Sequence, residues 1–264
     1  MKLHLQNSVV IVVGGASGIG LASVDGFLAE GATVAIWDSS PDCRDVADAR
    51  PQCHAYSVDI TDEKAVIAAA KQVDQDIGAV DHLVHTAAVG SGTFGVPFTR
   101  LAPSEWRKVI DVNLQGMVHV AHALTPGMTD RGRGTMVFVS SVAGQIGSPT
   151  DPPYSASKAA GINFAQVMAR DLAADGIRVN TVCPGMVQTP LNRNVWQSWN
   201  DRQAESDRLS YDEWAAEKIR QLVPLGRWQK AKDVADMIVF LSSVRANQVT
   251  GQTINVDGGY VMHS

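Results

Sequence analysis

Cysteine is scarce in this sequence. Cys43, Cys53 and Cys183 are the only three among 264 residues, and none stands in a Cys-x-x-Cys spacing. Three cannot all pair, which excludes a disulfide framework and leaves free thiols in a reducing cytoplasm as the expectation. Runs of lysine or arginine are absent and the net charge is -5, so nucleic acid has no electrostatic footprint to dock on. No apolar stretch approaches the roughly 18 residues that a membrane helix needs. The opening residues, Met-Lys-Leu-His-Leu-Gln-Asn-Ser, run directly towards a β-branched stretch with no signal-peptide pattern. There is no internal repeat, low-complexity tract or domain linker. Two His-x-x-His pairs, His82/His85 and His119/His122, lack a third ligand at suitable spacing, so no metal is expected.

What remains is a globular composition, 45% apolar and 19% charged, with material for one large core. Val9 to Val13 reads as a short buried strand. Gly14, Gly15, Ser17, Gly18, Ile19 and Gly20 follow, then a helical pattern through Val24 and Phe27, then a strand from Thr33 to Trp37 that ends at Asp38. Glycines at such a turn let backbone N–H groups approach a pyrophosphate at a helix N-terminus. Asp38, 18 residues past Gly20, suits a carboxylate that accepts hydrogen bonds from the adenosine ribose. The same carboxylate would repel a 2′-phosphate, and no cation stands beside it before Arg44. The cofactor read from these residues is therefore NAD.

Further strands are expected at Ala55 to Val58, Val80 to Thr86, Gly134 to Ser140, Ile177 to Val182 and Thr253 to Val256, with helices between them. Asp59 either reaches the adenine or caps the helix that follows. A long helix from Pro103 passes through Asn113, whose amide competes for backbone groups; it either faces solvent or is recruited for a local kink and a bound water. The alternation implies an α/β fold: a single-domain, Rossmann-like, doubly wound, mostly parallel seven-stranded sheet with helices on both faces, spanning residues 1–264.

The segment from Ser141 to Lys158 carries the chemistry. Tyr154 and Lys158 are four apart and share a helix face. The lysine ammonium is expected to favour the phenolate and lower the phenol pKa from about 10, as a general acid/base near neutrality requires. Ser141 supplies a hydroxyl for a substrate oxygen. On spacing alone, Tyr-x-x-x-Lys is more often just a surface pair. The loop Cys183 to Pro190 lies at a strand's carboxyl end, where open α/β sheets bind ligands. Leu191 to Leu222 is polar yet holds Trp196, Trp199 and Trp214, which suits a lid over a pocket or a subunit contact.

Taken together, Gly14 to Gly20, Asp59, Asn113, Ser141 with Tyr154 and Lys158, Pro184-Gly185 and Asn255-Val256-Asp257-Gly258-Gly259 resemble the short-chain dehydrogenase/reductases over nearly the whole chain. The 13-residue interval from Ser141 to Tyr154 agrees with that family. The resemblance implies that Tyr154 is the acid/base, that Lys158 lowers its pKa and binds the nicotinamide ribose, and that Ser141 positions the substrate. It implies that Asn113 holds a water in a proton relay. Cofactor contacts are implied for Gly14, Ser17, Gly18, Ile19, Gly20, Asp38, Asp59, Ile60, Ala87, Gly185, Val187 and Thr189, besides Tyr154 and Lys158. A substrate-binding lid is implied at about 190–222, and a homotetramer (or homodimer) through helices at 104–129 and 154–174.

Gln145, Gln188 and Trp196, with Asn192, Arg193 and Trp199, are the candidate substrate contacts. Val249 to Met262 and the Leu222 to Gly226 turn resemble the family's polyol and sugar-alcohol dehydrogenases. The expected substrate is thus a polyol, diol or other secondary alcohol or its ketone. A β-ketoacyl reductase is the alternative, disfavoured by Asp38 and by the lack of a basic patch for an acidic carrier. A non-catalytic NAD-binding regulator would have no use for Tyr154 or Lys158, and both are present. Two departures stand out: Val13 where the family usually has threonine, which loses a side-chain tie between turn and sheet, and His85-Thr86-Ala87-Ala88 in place of Asn-Asn-Ala-Gly.

Overall fold

In the computed structural model, which describes residues 2–262, the seven strands form one sheet in the order β3-β2-β1-β4-β5-β6-β7. They are β1 (Val9–Val13), β2 (Thr33–Asp38), β3 (Cys53–Ser57), β4 (His82–His85), β5 (Gly134–Val139), β6 (Ile177–Pro184) and β7 (Thr253–Val256). Every neighbouring pair is parallel. The strand order reverses between β1 and β4, so a crevice opens at the carboxyl ends of those strands.

Both faces of the sheet are buried, and strand alternation divides the core in two. Ile11, Val13, Ala35, Trp37, Leu83, Met136 and Phe138 point to one face. There they meet α3 (Glu63–Asp76), α5 (Gly116–Arg131) and α6 (Pro152–Asp171). Val10, Val12, Val34, Ile36, Val84 and Val137 point to the other, against α1 (Gly18–Ala29), α2 (Cys43–Asp48) and α9 (Ala231–Ser242). All five residues of β1 are buried; each such aliphatic side chain contributes about 1.5–3 kcal/mol.

The structure moves some expected boundaries. The third strand begins at Cys53 rather than Ala55, because Cys53 already pairs with Val34 directly after the Gln52 turn. Helix α3 starts at Glu63, and its cap is Asp62, which accepts from the Lys64 and Ala65 N–H groups. Asp59 therefore does not cap it; its carboxylate accepts from the Thr61 N–H and hydroxyl, which holds it below the ordinary range.

The long helix exists as α4 (Pro103–Ile110) running into α5 through a π-helical turn at Asp111–Gln115. Asn113 sits inside that turn, 4% exposed. Of the two alternatives, solvent exposure is excluded. The amide is recruited by backbone: Oδ1 accepts from the Val89 N–H at 2.8 Å, and Nδ2 donates to the Val89 carbonyl and the Ser157 hydroxyl, both at 3.0 Å. A π-turn is a common way to turn one side chain out of helical register.

The segment 190–222 forms α7 (Pro190–Asn200) and α8 (Tyr211–Leu222). It carries a third core of its own, Trp214, Ala215, Ile219 and Val223, with Trp196, Trp199, Tyr211 and Trp228 packed around it. No helix among the described residues is long and apolar enough to cross a membrane.

Candidate active site

A cleft of about 1700 Å³ runs along the carboxyl ends of the strands and under α7 and α8. One end is built by the glycine turn. Gly14 and Gly18 hold φ of +79° and +54°, which an L side chain rarely adopts. A Cβ on Gly20 would stand 2.0 Å from the Gly14 carbonyl oxygen, so the start of α1 closes on the turn only with glycine there. Asp38 locks the same region, since its carboxylate accepts from the Ala16 N–H at 3.0 Å and the Ser40 N–H at 2.9 Å. These residues fit a dinucleotide: an open backbone cradle at a helix N-terminus, then a carboxylate one strand over.

The two departures prove to be linked. Val13 has no hydroxyl, but Thr86 donates its own to the Val13 carbonyl at 2.8 Å and lies 3.2 Å from the Gly14 carbonyl. The tie between turn and sheet comes from β4's end instead of β1's. His85 is buried against Phe138. Burial, reinforced by the charge of Lys158, pushes its pKa down to about 3, so it is neutral at ordinary pH. His82 bonds Thr135, and His119 bonds Ile60 and lies next to Gln115. Among the described residues no three His, Cys, Asp or Glu side chains gather as a metal site.

In the middle of the cleft stand Ser141, Tyr154 and Lys158. Ser141 ends the turn after β5, where its hydroxyl accepts from the Ala143 N–H. Gly144 keeps this turn close to α6; a Cβ there would lie 2.8 Å from the Lys158 carbonyl carbon. Lys158 is 6% exposed, donates to the Val139 carbonyl at 2.7 Å, and lies 5.5 Å from the centre of the Tyr154 ring. Burial lowers its pKa to about 8, so it is an ammonium at neutral pH and loses that proton as pH rises through about 8.

The expected lowering of the Tyr154 pKa is reversed. Burial raises it, a hydrogen bond with Ser141 pulls it back, and the charges of Asp151 and Cys183 push it up again. Desolvating the phenolate costs more here than the Ser141 hydrogen bond returns. The phenol is thus held protonated at neutral pH, as a proton donor.

All the residues expected to meet a cofactor border the cleft: Gly14, Ser17, Gly18, Ile19, Gly20, Asp38, Asp59, Ile60, Ala87, Gly185, Val187 and Thr189, with Tyr154 and Lys158. Thr189 also caps α7 by accepting from the Asn192 N–H and packs on Gly18, which joins the lid's base to the glycine turn. Asn113 lies behind the wall. It is coupled to α6 through Ser157, which also donates to the Tyr154 carbonyl.

Of the six candidate substrate contacts only Asn192 is on the wall; Gln145, Gln188, Arg193, Trp196 and Trp199 are not. Gln145 donates to Asn255 at 2.7 Å. Gln188 is exposed, its N–H bonded to the Gln229 carbonyl. Trp196 turns into the lid's own core and donates to the Leu209 carbonyl. Besides Asn192, the segment 190–222 offers Val195, Trp214 and Lys218 to the cleft. Sequence reasoning also missed Thr86, Asp151, Ser157 and Gln229. Only Thr86 had a signal, the hydroxyl missing at Val13.

A doubly wound parallel sheet with a dinucleotide cradle and a Ser/Tyr/Lys group at its strand ends, its lysine buried, defines a nucleotide-dependent oxidoreductase. The family model described as "Enoyl-(Acyl carrier protein) reductase" matches residues 14–261. The chain is 35% identical to 3-oxoacyl-[acyl-carrier-protein] reductase FabG of Thermotoga maritima, over 98% of this chain and all of that one. It is 33% identical to galactitol 2-dehydrogenase of Agrobacterium fabrum, over 97% of this chain and 98% of the relative. The structure of L-sorbose reductase from Gluconobacter frateurii complexed with NADPH and L-sorbose superposes with a TM-score of 0.90 at 26% identity, covering 100% of both chains. This chain belongs to the short-chain dehydrogenase/reductase family.

Proposed function

We propose that the protein interconverts a secondary alcohol and its ketone with NAD(H), on a polyol, sugar alcohol or diol. The observation that carries this reading is the meeting of Ser141, Tyr154 and Lys158 in the one cleft that also holds the glycine turn and Asp38. A nicotinamide nucleotide, when bound, supplies or accepts the hydride. The protein supplies position and a proton. In reduction the Tyr154 phenol donates its proton to the carbonyl oxygen as that oxygen gains charge. In oxidation the same group takes the alcohol proton. Ser141 holds the substrate oxygen beside the phenol, and the Lys158 ammonium stabilises the phenolate while it exists.

NAD is favoured over NADP because Asp38 presents its carboxylate between the Ala16 and Ser40 N–H groups and would face a 2′-phosphate with like charge. The relatives support the alcohol class through galactitol 2-dehydrogenase and the structural neighbour through L-sorbose. The similarity to FabG favours a second reading, a β-ketoacyl reductase. A cytoplasmic location suits the three free thiols, and a homotetramer (or homodimer) through α4–α5 and α6 is the assembly we favour, with Val167 exposed on α6.

The test is a panel that follows nicotinamide absorbance, with NAD and NADP each offered against polyols, diols, simple secondary alcohols and an acetoacetyl thioester. NAD-linked turnover of diols or polyols is expected. NADPH-linked turnover confined to the thioester would overturn the reading in favour of the second.

A further inference from the structure

Asp151 is a buried acid that the roles above leave unused. It immediately precedes α6, three residues before Tyr154, is 4% exposed, and borders the cleft together with Ser141 and Tyr154. Its Oδ2 accepts from the Ser91 N–H at 2.9 Å. Its Oδ1 makes no hydrogen bond of full geometry among the described residues, although the Ser91 hydroxyl and the Tyr154 N–H in the first turn of α6 are near enough to draw the acid's pKa down. No cation lies within ion-pairing distance of it among the described residues. A buried carboxylate oxygen left without a partner is costly, and such atoms need a physical account.

The surroundings point to a ligand. The segment over Asp151 runs from Gly90 to Gly95, and Gly90, Gly92 and Phe94 border the same cleft. Gly90 is obligatory for this fit, because a Cβ there would stand 2.6 Å from the Phe94 ring and 2.8 Å from Oδ2 of Asp151. Thr93 donates to Glu105 at 2.9 Å, which fastens the segment to the start of α4. The chain therefore holds the acid in place from two sides, by Ser91 and by its position ahead of α6, while one oxygen stays unused. Burial raises its pKa, and a hydroxyl can serve either form, donating to the carboxylate or accepting from the acid.

We infer that Asp151 is a substrate-binding residue that hydrogen-bonds a second hydroxyl of the substrate, one other than the hydroxyl or carbonyl that reacts. This rests on the proposed alcohol dehydrogenase activity and names the residue by which it selects diols and polyols over simple alcohols. An ammonium is the less fitting partner, since it would enter a site that already holds the Lys158 ammonium. A substrate carboxylate would meet like charge. The acyl part of a β-ketoacyl thioester brings no hydroxyl of its own beside the reacting carbonyl.

The experiment compares kcat/KM for 2,3-butanediol and 2-butanol in the wild type and in Asp151→Asn and Asp151→Ala, with NAD affinity measured by fluorescence. The wild type is expected to favour the diol by about 10- to 100-fold, the range for one hydrogen bond to a charged group. The ratio should fall below about 3 in Asp151→Ala and lie between in Asp151→Asn, on the same reasoning. A ratio, unlike an absolute rate, is not moved by a general loss of structure. If either variant fails to fold, the wild-type ratio alone decides, and a value near one overturns the inference. Diol turnover whose ratio is unmoved by Asp151→Ala overturns the role of Asp151 and leaves the dehydrogenase reading standing. No turnover of either alcohol, nor of any polyol of the panel above, with NAD or NADP overturns that reading, and this inference with it.

Discussion

The two ends of the cleft are held by different means. The nucleotide end is made of sheet and backbone. Its glycine turn is bound between β1, β2 and β4, with the Gly14 N–H on the Trp37 carbonyl, the Thr86 N–H on the Val13 carbonyl and the Thr86 hydroxyl across both. The lid end is made of two helices around a small aromatic core that is separate from both sheet cores. Tyr211 stacks near Trp214, tilts on Trp196 and Trp228, and lies under the Arg193 guanidinium. The first end shares the cooperativity of the sheet; the second has a small core of its own, and we propose that it opens as a unit. A dehydrogenase needs both: a fixed cradle for the nucleotide, and a cover that admits substrate.

The strongest test of that division lies between the two ends. Tyr154→Phe should lower kcat by about 10²–10⁴-fold, the range for loss of a general acid/base. Nucleotide affinity, read by fluorescence quenching, should stay within about 3-fold if the cradle is independent of the chemistry. Turnover that survives would remove Tyr154 from the mechanism.

Next comes a pair of core truncations. Phe27 is fully buried against the sheet, and Trp214 is 5% exposed in the lid. Phe27→Ala should cost about 3–5 kcal/mol of global stability. Trp214→Ala removes a larger ring, yet should shift the main thermal transition less, with its effect appearing as about a 10-fold rise in substrate KM and faster amide exchange in 190–222. Equal falls in Tm would make the lid part of one cooperative core.

A smaller effect probes the cradle. Thr86→Val removes the hydroxyl that spans Val13 and Gly14 and should weaken nucleotide binding by about 10-fold, the worth of one hydrogen bond in a positioned site. Thr86→Ser should retain most of the affinity. If Thr86→Val binds nucleotide as the wild type does, the turn is held by backbone alone.

The smallest effect is a pH slope. His85 has a pKa of about 3 in the fold against an ordinary 6.5, so between those values the unfolded chain takes a proton that the native chain refuses. Stability therefore falls as pH drops from about 6.5 towards about 3, and His82, lowered to about 4, adds to the fall. His85→Asn should flatten the decline in denaturant midpoints across that window. An unchanged slope would mean that His85 is not desolvated.

By itself the sequence determined the order of strands and helices, the glycine turn with Asp38, and the convergence of Ser141, Tyr154 and Lys158. Those features are written in short spacings: β-branched runs, glycines that no other residue replaces, and side chains one helical turn apart. Tertiary structure alone decided the rest. It set the direction of the Tyr154 pKa, because desolvation depends on what packs over the phenol. It turned Gln145 to Asn255 and Trp196 into the lid's core, because the cleft wall is formed by segments far apart in sequence. It moved the lost hydroxyl of position 13 to Thr86, 73 residues along the chain, and buried Asp151 with one oxygen unpaired. Burial and partnership between distant segments are not local properties, so apart from the hydroxyl missing at Val13 nothing in the chain announced them.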